Sequence, residues 1–349
     1  MGNLSDVEKE VQISVSIAIN NYNYGRFLKV CIDSALNQTY PNLEVIVVDD
    51  GSKDDSKQII ESYGDRIISV LKENGGQGSA YNAGFAKAQG DIILFLDSDD
   101  TLYPDTVAKI VENWLPDTVK VQFRLAMIDG DGCLLGGNMP NFLHSGDVID
   151  IIEKFGCYAS PPASGNAFLK CALDSYFPMP EPEWKIAADT YPILLVPFSG
   201  KVVTLDGVGG CYRIHRKKEL EGRFVFNNCH SKPSSTVERD CQSKQLIFKT
   251  LDQHGLISSQ CSKFDAPAVV KNRLISLRVD PLLHPLESDT SLKVLYEGLQ
   301  GVFNWPDYPL KIRLGYVFWM LGVAFLPQYL AKEIILWGIK IAPILTRRS

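Results

Sequence analysis

Short β-branched and aliphatic runs recur through the first 127 positions: ISVSIAI (13–19), LEVIVV (43–48), IISVL (67–71) and DIILFL (91–96). Helix-length segments at about 25–38, 53–63 and 77–89 separate them. Apolar runs that alternate with amphipathic segments predict an α/β chain, its mostly parallel sheet flanked by helices on both faces. In such sheets ligands bind beyond the carboxyl ends of the strands. The residues that follow the runs are Asn20-Asn21-Tyr22-Asn23, Asp49-Asp50-Gly51-Ser52, Glu73-Asn74-Gly75-Gly76-Gln77-Gly78 and Asp97-Ser98-Asp99-Asp100. Polar and acidic groups therefore converge on one sheet edge.

From 128 to 215 the pattern loosens, with turns expected at DGDG (129–132), LGGNMP (135–140) and SPPASGN (160–166) and a strand at GKVVTL (200–205). Residues 216–310 read as charged linker and helices, Val237 to Leu251 among them. Two apolar segments close the chain, 13 residues at 314–326 and 12 at 334–345 with one Lys. At about 1.5 Å per residue each reaches roughly 20 Å, short of the approximately 30 Å hydrocarbon core of a bilayer. No internal repeat or low-complexity segment is visible.

The run ILFLDSDD (93–100) ends a buried strand with three carboxylates in four positions. Like charges at the rim of an apolar core repel and lose hydration, so a cation is expected to compensate. In an extended D-x-D, Asp97 and Asp99 point the same way and suit Mg²⁺ or Mn²⁺, hard ions that take carboxylates plus substrate phosphates. The plainer alternative is that Asp99 or Asp100 caps a helix starting near Pro104. An EF-hand fails on spacing.

Several stretches, in order, resemble glycosyltransferase family 2, inverting nucleotide-sugar transferases of the GT-A fold: VSIAINNYN (15–23), SALNQTYPNLEVIVVDDGSKDDS (34–56), NGGQGSAYNAGFAKAQGDIILFLDSDD (74–100), SGNAFLK (164–170), WKIAADTY (184–191) and YRIH (212–215). The resemblance covers roughly 13–215. It implies that Asn20 and Tyr22 contact base and ribose, that Asp50 accepts from uracil N3 while Asp49 braces the loop, and that Asn82, Asp97 and Ser98 join the nucleotide-sugar contacts. Asp97 and Asp99, with His215, become ligands of Mn²⁺ or Mg²⁺. Asp189 becomes the base that deprotonates the acceptor hydroxyl, its pKa raised in a partly apolar pocket beside Trp184. Read without the family, Asp189 caps the helix that begins at Thr190. Many members carry Arg where this chain has Tyr81, which shifts diphosphate charge to the metal, Arg213 or Arg216. The implied division is an N-terminal extension (1–12), a nucleotide-sugar-binding half (13–127), an acceptor-binding half (128–215), a helical linker region (216–310) and C-terminal membrane-associating or packing helices (311–349).

The GGQG loop (75–78) opens a helix and offers N–H groups to a phosphate. It lacks the Lys-Ser/Thr of a P-loop, and no GxGxxG follows the strand, so ATPase and dinucleotide readings fit poorly. His144, His230, His254 and His284 show no metal spacing. A nucleotidyltransferase would need a Gly-rich basic loop after the first strand, which NNYNYGRF does not provide.

The chain of 349 residues is 45% hydrophobic and 22% charged, ordinary for a globular protein, and its net charge of -6 argues against nucleic-acid binding. Eight scattered cysteines without a CxxC pair read as reduced thiols of a cytosolic protein. MGNLSDVEKEVQ lacks a signal-peptide core and matches the myristoylation pattern only loosely, at Gly2 and Ser5. The sequon Asn37-Gln38-Thr39 is then unmodified.

Against the overall charge, residues 311–349 hold six Lys or Arg and one acid, Glu333. With Trp319 and Trp337, this suggests interfacial or re-entrant helices on the cytoplasmic face of an anionic membrane, or else a hairpin packed on the domain or a second subunit in a homodimer. The combined expectation is a metal-dependent, peripherally membrane-associated transferase moving one sugar from a nucleotide sugar, a UDP-sugar by expectation, to a glycan or lipid-linked acceptor. No Q-x-x-R-W motif of processive synthases is present. The other class is a catalytically silent nucleotide-sugar-binding or scaffold subunit.

Overall fold

The computed structural model describes residues 12–215 and 232–341, with side chains described to residue 335. Gly2, Arg216, His230, Trp337, Lys340, Arg347 and Arg348, each weighed above, lie outside the described residues or side chains. Strands β1 (Val15–Asn21), β2 (Leu43–Asp49), β3 (Ile68–Leu71) and β4 (Ile92–Asp97) alternate with helices α1 (Gly25–Leu36), α2 (Ser56–Glu61) and α3 (Gln77–Lys87), as the apolar runs predict. Then follow β5 (Thr101–Leu102), α4 (Thr106–Glu112), β6 (Thr118–Ile128), β7 (Leu134–Met139), α5 (Ile149–Phe155), β8 (Asn166–Leu169), α6 (Lys170–Leu173), α7 (Thr190–Leu195) and β9 (Lys201–Arg213). Among the described residues these nine strands form one sheet of order β3-β2-β1-β4-β8-β6-β9-β5, with β7 pairing β6. The β3-β2-β1-β4 part is parallel, whereas β8 runs antiparallel to both β4 and β6.

Alternation along the central strands divides two cores. Val15, Ile17 and Ile19 of β1, Val45 and Val47 of β2, and Ile92, Leu94 and Leu96 of β4 pack with α1, α2 and α4. Ala18, Ile46, Val48, Ile93 and Phe95 face the other way, towards α3, α5, α6, α7 and α8 (Pro233–Gln253). A period of two then carries Asn20, Asp50 and Asp97 onto the α3 side, and Asn21 and Asp49 onto the α1 side. The pleat, rather than residue type, decides which acid of a pair faces which layer.

Two expectations need correction. LGGNMP is not a turn: Leu134–Met139 is a strand whose Gly136 and Gly137 take positive φ (75° and 84°) where its pairing with β6 shifts register. The strand at 200–205 runs on to Arg213 through a glycine-rich stretch that reads as a breaker. Those glycines permit close passage, since a Cβ on Gly210 would lie 2.2 Å from the Thr101 carbonyl oxygen and one on Gly209 would lie 2.4 Å from the Phe123 ring.

Beyond α8, helices α9 (Pro267–Val279), α10 (Ser291–Asn304), α11 (Leu310–Phe325) and α12 (Gln328–Ile341) build a core of their own around Val270, Leu274, Val294, Val302, Met320 and Val323. Arg273 ties it together, bidentate on Asp289 (2.7 and 2.6 Å) and paired with Glu297 and Asp265. Among the described residues, no helix is long and apolar enough to cross a membrane.

Lys120 in β6 is fully buried, and its Nζ donates to Gln122 (2.9 Å), Tyr158 (2.8 Å) and Ser160 (2.7 Å), none of them an acid. Burial holds this amine well below its ordinary 10.5. Between the lowered value and 10.5 the unfolded chain binds a proton that the folded chain does not, so stability rises with pH there. Urea unfolding from neutral pH upward is expected to show that rise in the wild type and to lose it in Lys120→Met. Parallel profiles for the two proteins would exclude Lys120 as its source.

Candidate active site

The carboxyl edge of the parallel strands is held by dense hydrogen bonding to acids. Asp49, on the α1 side, accepts from Asn21 Nδ2 (2.8 Å), Ser52 N (3.0 Å) and Ser52 Oγ (2.5 Å), which makes it the loop brace. Asp50, on the α3 side and nearly fully buried, accepts four donors: Lys72 Nζ (2.6 Å) and Gly75 N (3.0 Å) on Oδ1, Asn74 Nδ2 (3.0 Å) and Gly76 N (2.8 Å) on Oδ2. A carboxylate offers about four lone-pair sites, so protein donors saturate Asp50.

The same loop overturns the phosphate cradle. Gly75 and Gly76 N–H go to Asp50, while Gln77 N donates to Lys185 O (2.9 Å) and Gly78 N to Trp184 O (2.9 Å). All four N–H groups of the GGQG turn are therefore spent inside the protein. The glycines serve this docking: Gly76 has φ +91°, and a Cβ on Gly78 would sit 2.7 Å from the Trp184 carbonyl oxygen. Gln77 Oε1 also accepts from Ala188 N (3.0 Å), so the start of α3 clamps the segment that leads to Asp189.

Asp97 ends β4 opposite Asn20 of β1. Among the described residues its carboxylate has no hydrogen-bond partner, and burial first, then the charges of Asp99 and Asp189, push its pKa well up. Ser98 is buried in the turn that follows, and Asp100 N closes that turn on Asp97 O (3.0 Å). His215 Nε2 lies 2.6 Å from Asp99 Oδ2, the imidazole ring resting against Tyr24 and Phe27. Asp100 accepts from Ser164 Oγ (2.6 Å) and Arg213 N (2.9 Å). Neither Asp99 nor Asp100 caps α4, whose cap residue is Asp105. Among the described residues, no group of three or more His, Cys, Asp or Glu is set to hold a metal ion.

Asp189 precedes α7 but makes no side-chain cap hydrogen bond; its Oδ2 accepts from Ala163 N at 3.2 Å. Burial raises its pKa, with that N–H as a partial offset. Trp184 lies edge-on to Tyr191 (5.4 Å), closing the apolar side of this segment. Among the described residues the buried Asn20 has no partner for either amide atom, and Tyr22 stands exposed at the strand end. The amide of Asn82 brackets Met179, donating to the carbonyl (2.9 Å) and accepting from the N–H (2.8 Å), and so fastens α3 to the 179–181 segment.

Three groups make contacts that the sequence does not display. Ser164 links the Asp97 and Asp100 ends of the acidic turn. Arg213, expected at a diphosphate, is buried and spends its guanidinium on the carbonyls of Asp99 (2.9 Å) and Asp129 (2.8 Å) over the Phe27 ring. Tyr81, where an arginine was missed, is buried flat on Phe95 (4.2 Å) with its hydroxyl unpartnered, and burial and the charges of Asp97 and Asp189 raise its pKa. Ser164 and Arg213 stand in quoted motifs, SGNAFLK and YRIH, but a motif does not tell a ligand from a clamp.

Residues 16–135 match the model of a family described as glycosyl transferase family 2. An uncharacterized glycosyltransferase of Nostoc sp. (strain PCC 7120) is 36% identical over 245 residues, covering 68% of this chain and 73% of that protein. Chondroitin synthase of Pasteurella multocida (strain Pm70) is 41% identical over 135 residues, 37% of this chain and only 14% of that one. Among solved structures, S. aureus TarS 1-349 in complex with UDP-GlcNAc shares the fold at a TM-score of 0.51 and 17% identity, with 96% and 92% of the two chains covered.

If Asp50 braces the edge, Asp50→Ala should destabilise the ligand-free protein by about 2–4 kcal/mol, as expected when several buried donors lose a charged acceptor. Chemical denaturation measures this. Unchanged ligand-free stability together with lost nucleotide binding would instead make Asp50 a ligand contact.

Proposed function

The chain belongs to glycosyltransferase family 2, and from that premise we propose that it moves a single sugar, with inversion, from a UDP-sugar to a glycan or lipid-linked acceptor. Nucleotide-sugar transfer follows from the family; donor, acceptor and stereochemistry are our reading. The observation that supports it is that Asp99 and Asp189, from two distant segments, lie near enough to Asp97 at the end of β4 for their charges to raise its pKa. The amide of Asn20, with a donor and an acceptor both unused, matches the paired acceptor and donor of a uracil edge, and exposed Tyr22 offers a ring beside it. Buried amide atoms without partners are costly, which a bound base would relieve.

In the reaction the acceptor hydroxyl oxygen attacks the anomeric carbon, and the bond from that carbon to the diphosphate oxygen breaks. The hydroxyl proton passes to Asp189, and the electron pair leaves with the nucleoside diphosphate. Burial suits Asp189 to this task, because a carboxylate of raised pKa is a stronger base. Asp97 and Asp99 are the carboxylates that would offer oxygen to Mn²⁺ or Mg²⁺ beside a diphosphate, while the Nε2 of His215 is engaged by Asp99 Oδ2 (2.6 Å), so that among the described residues the three are not arranged as one ligand group. Such an ion, when bound, neutralises charge on the leaving diphosphate. A lipid-linked acceptor would place the enzyme at a membrane surface.

Asp189→Asn is expected to lower turnover by about 10²-fold or more while UDP affinity stays within about threefold, since general-base catalysis is worth roughly 10²–10⁴. The wild-type kcat/KM should fall as pH drops through a value above the ordinary carboxyl 3.8, because only the ionised base acts. Turnover close to wild type in Asp189→Asn would remove Asp189 from this role.

A further inference from the structure

Tyr81 of α3 is fully buried, and its hydroxyl has no partner among the described residues. A buried hydroxyl left this way costs free energy that Phe at the same place would not. The fold fixes where it points. Side chains of a helix lean towards its N-terminus, and α3 starts at the carboxyl edge of the sheet, so the ring is directed back to that edge. There it lies flat on Phe95 (4.2 Å between centroids), two residues before Asp97 on the same face of β4. Gln77, one turn earlier on the same face of α3, holds the segment before Asp189 through Lys185 O and Ala188 N. The hydroxyl therefore faces the region between Asp97 and Asp189, in keeping with the charges of both acting on it.

Of these two acceptors, Asp97 is the one that a bound cation would engage. Asp189 takes one long N–H contact, from Ala163 on Oδ2 at 3.2 Å, and among the described residues no side chain donates to it. Burial disfavours its ionised form, whereas a general base must be ionised to take a proton. An O–H donated to the carboxylate favours the ionised form and restricts its rotation, and the Tyr81 hydroxyl is an unused donor on that side of the site.

We propose that Tyr81 is a positioning residue for Asp189: with substrate in the site, its hydroxyl donates to the carboxylate and aims the other oxygen at the acceptor hydroxyl. The inference rests on the reading of Asp189 as the base and adds the side chain that orients it. Tyr81→Phe keeps the ring on Phe95 and removes the hydroxyl alone. UDP release from UDP-glucose and from UDP-N-acetylglucosamine is followed with Mn²⁺, water serving as the acceptor, beside the melting temperature of each ligand-free protein. The variant should lose about tenfold in kcat, the usual worth of a hydrogen bond to a charged group, at a KM within about twofold of wild type. Its ligand-free melting temperature should equal or exceed the wild-type value, because no hydrogen bond is lost. In an Asp189→Asn background the same change should cost less than about twofold, since the two groups act as one. Wild-type kcat in Tyr81→Phe, a melting temperature lowered by several degrees, or an undiminished tenfold loss in the Asp189→Asn background would each overturn the inference. Turnover unchanged in Asp189→Asn alone would remove the base and the inference with it. A wild type that releases no UDP would count against the donor reading, and the free hydroxyl would then be judged on the ligand-free melting temperature, a lowered value overturning it.

Discussion

Four donors converge on the Asp50 carboxylate, from Lys72, Asn74, Gly75 and Gly76. They fix the turn before α3, and the next two N–H groups, of Gln77 and Gly78, are thereby aimed at the carbonyls of Lys185 and Trp184. Asp189 follows four residues later in a segment held by those bonds and by Gln77 on Ala188. One buried carboxylate thus links the end of β2 to the proposed base, which comes from a segment more than a hundred residues away. A helix N-terminus that could bind a phosphate instead binds the protein's own backbone.

A second clamp works on the acidic turn after β4. Asp100 accepts hydrogen bonds from Ser164 and the Arg213 N–H, and the Arg213 side chain holds the Asp99 carbonyl. Among the described residues Asp97 is then the carboxylate of the turn without a hydrogen-bond partner, crowded by Asp99 and Asp189. Like charges so placed favour binding of a cation or uptake of a proton.

The alternating sheet and helices of the first half, the helix around 237–251 and the acidic strand end were legible because each rests on local periodicity or on a strand terminus. Asp49 as a brace followed from the family resemblance, and its bonds to Asn21 and Ser52 agree with it. The tasks of Asp50, the GGQG turn, Asn82 and Arg213 were not legible, because each depends on a partner 20 or more residues away that no local pattern displays. Glycines at 136–137 read as a turn in the sequence although they take positive φ within a strand, and those at 207, 209 and 210 lie in the part of β9 beyond the expected 200–205. The C-terminal helices were visible as apolar segments, but only packing separates the buried side of α11 from its exposed side.

The account turns on the acid-lined edge of β4 being a nucleotide-sugar site. Thermal unfolding with UDP, GDP, CDP or dTDP, each with and without Mn²⁺, on the wild type and on Asp99→Asn, tests that most directly. A ligand at about 100 times its Kd adds roughly 2.7 kcal/mol, which raises the melting temperature of a protein this size by several degrees. The account predicts such a rise with UDP and Mn²⁺ that Asp99→Asn loses. A folded wild type whose melting temperature moves with none of the nucleotides, with or without the metal, would contradict it.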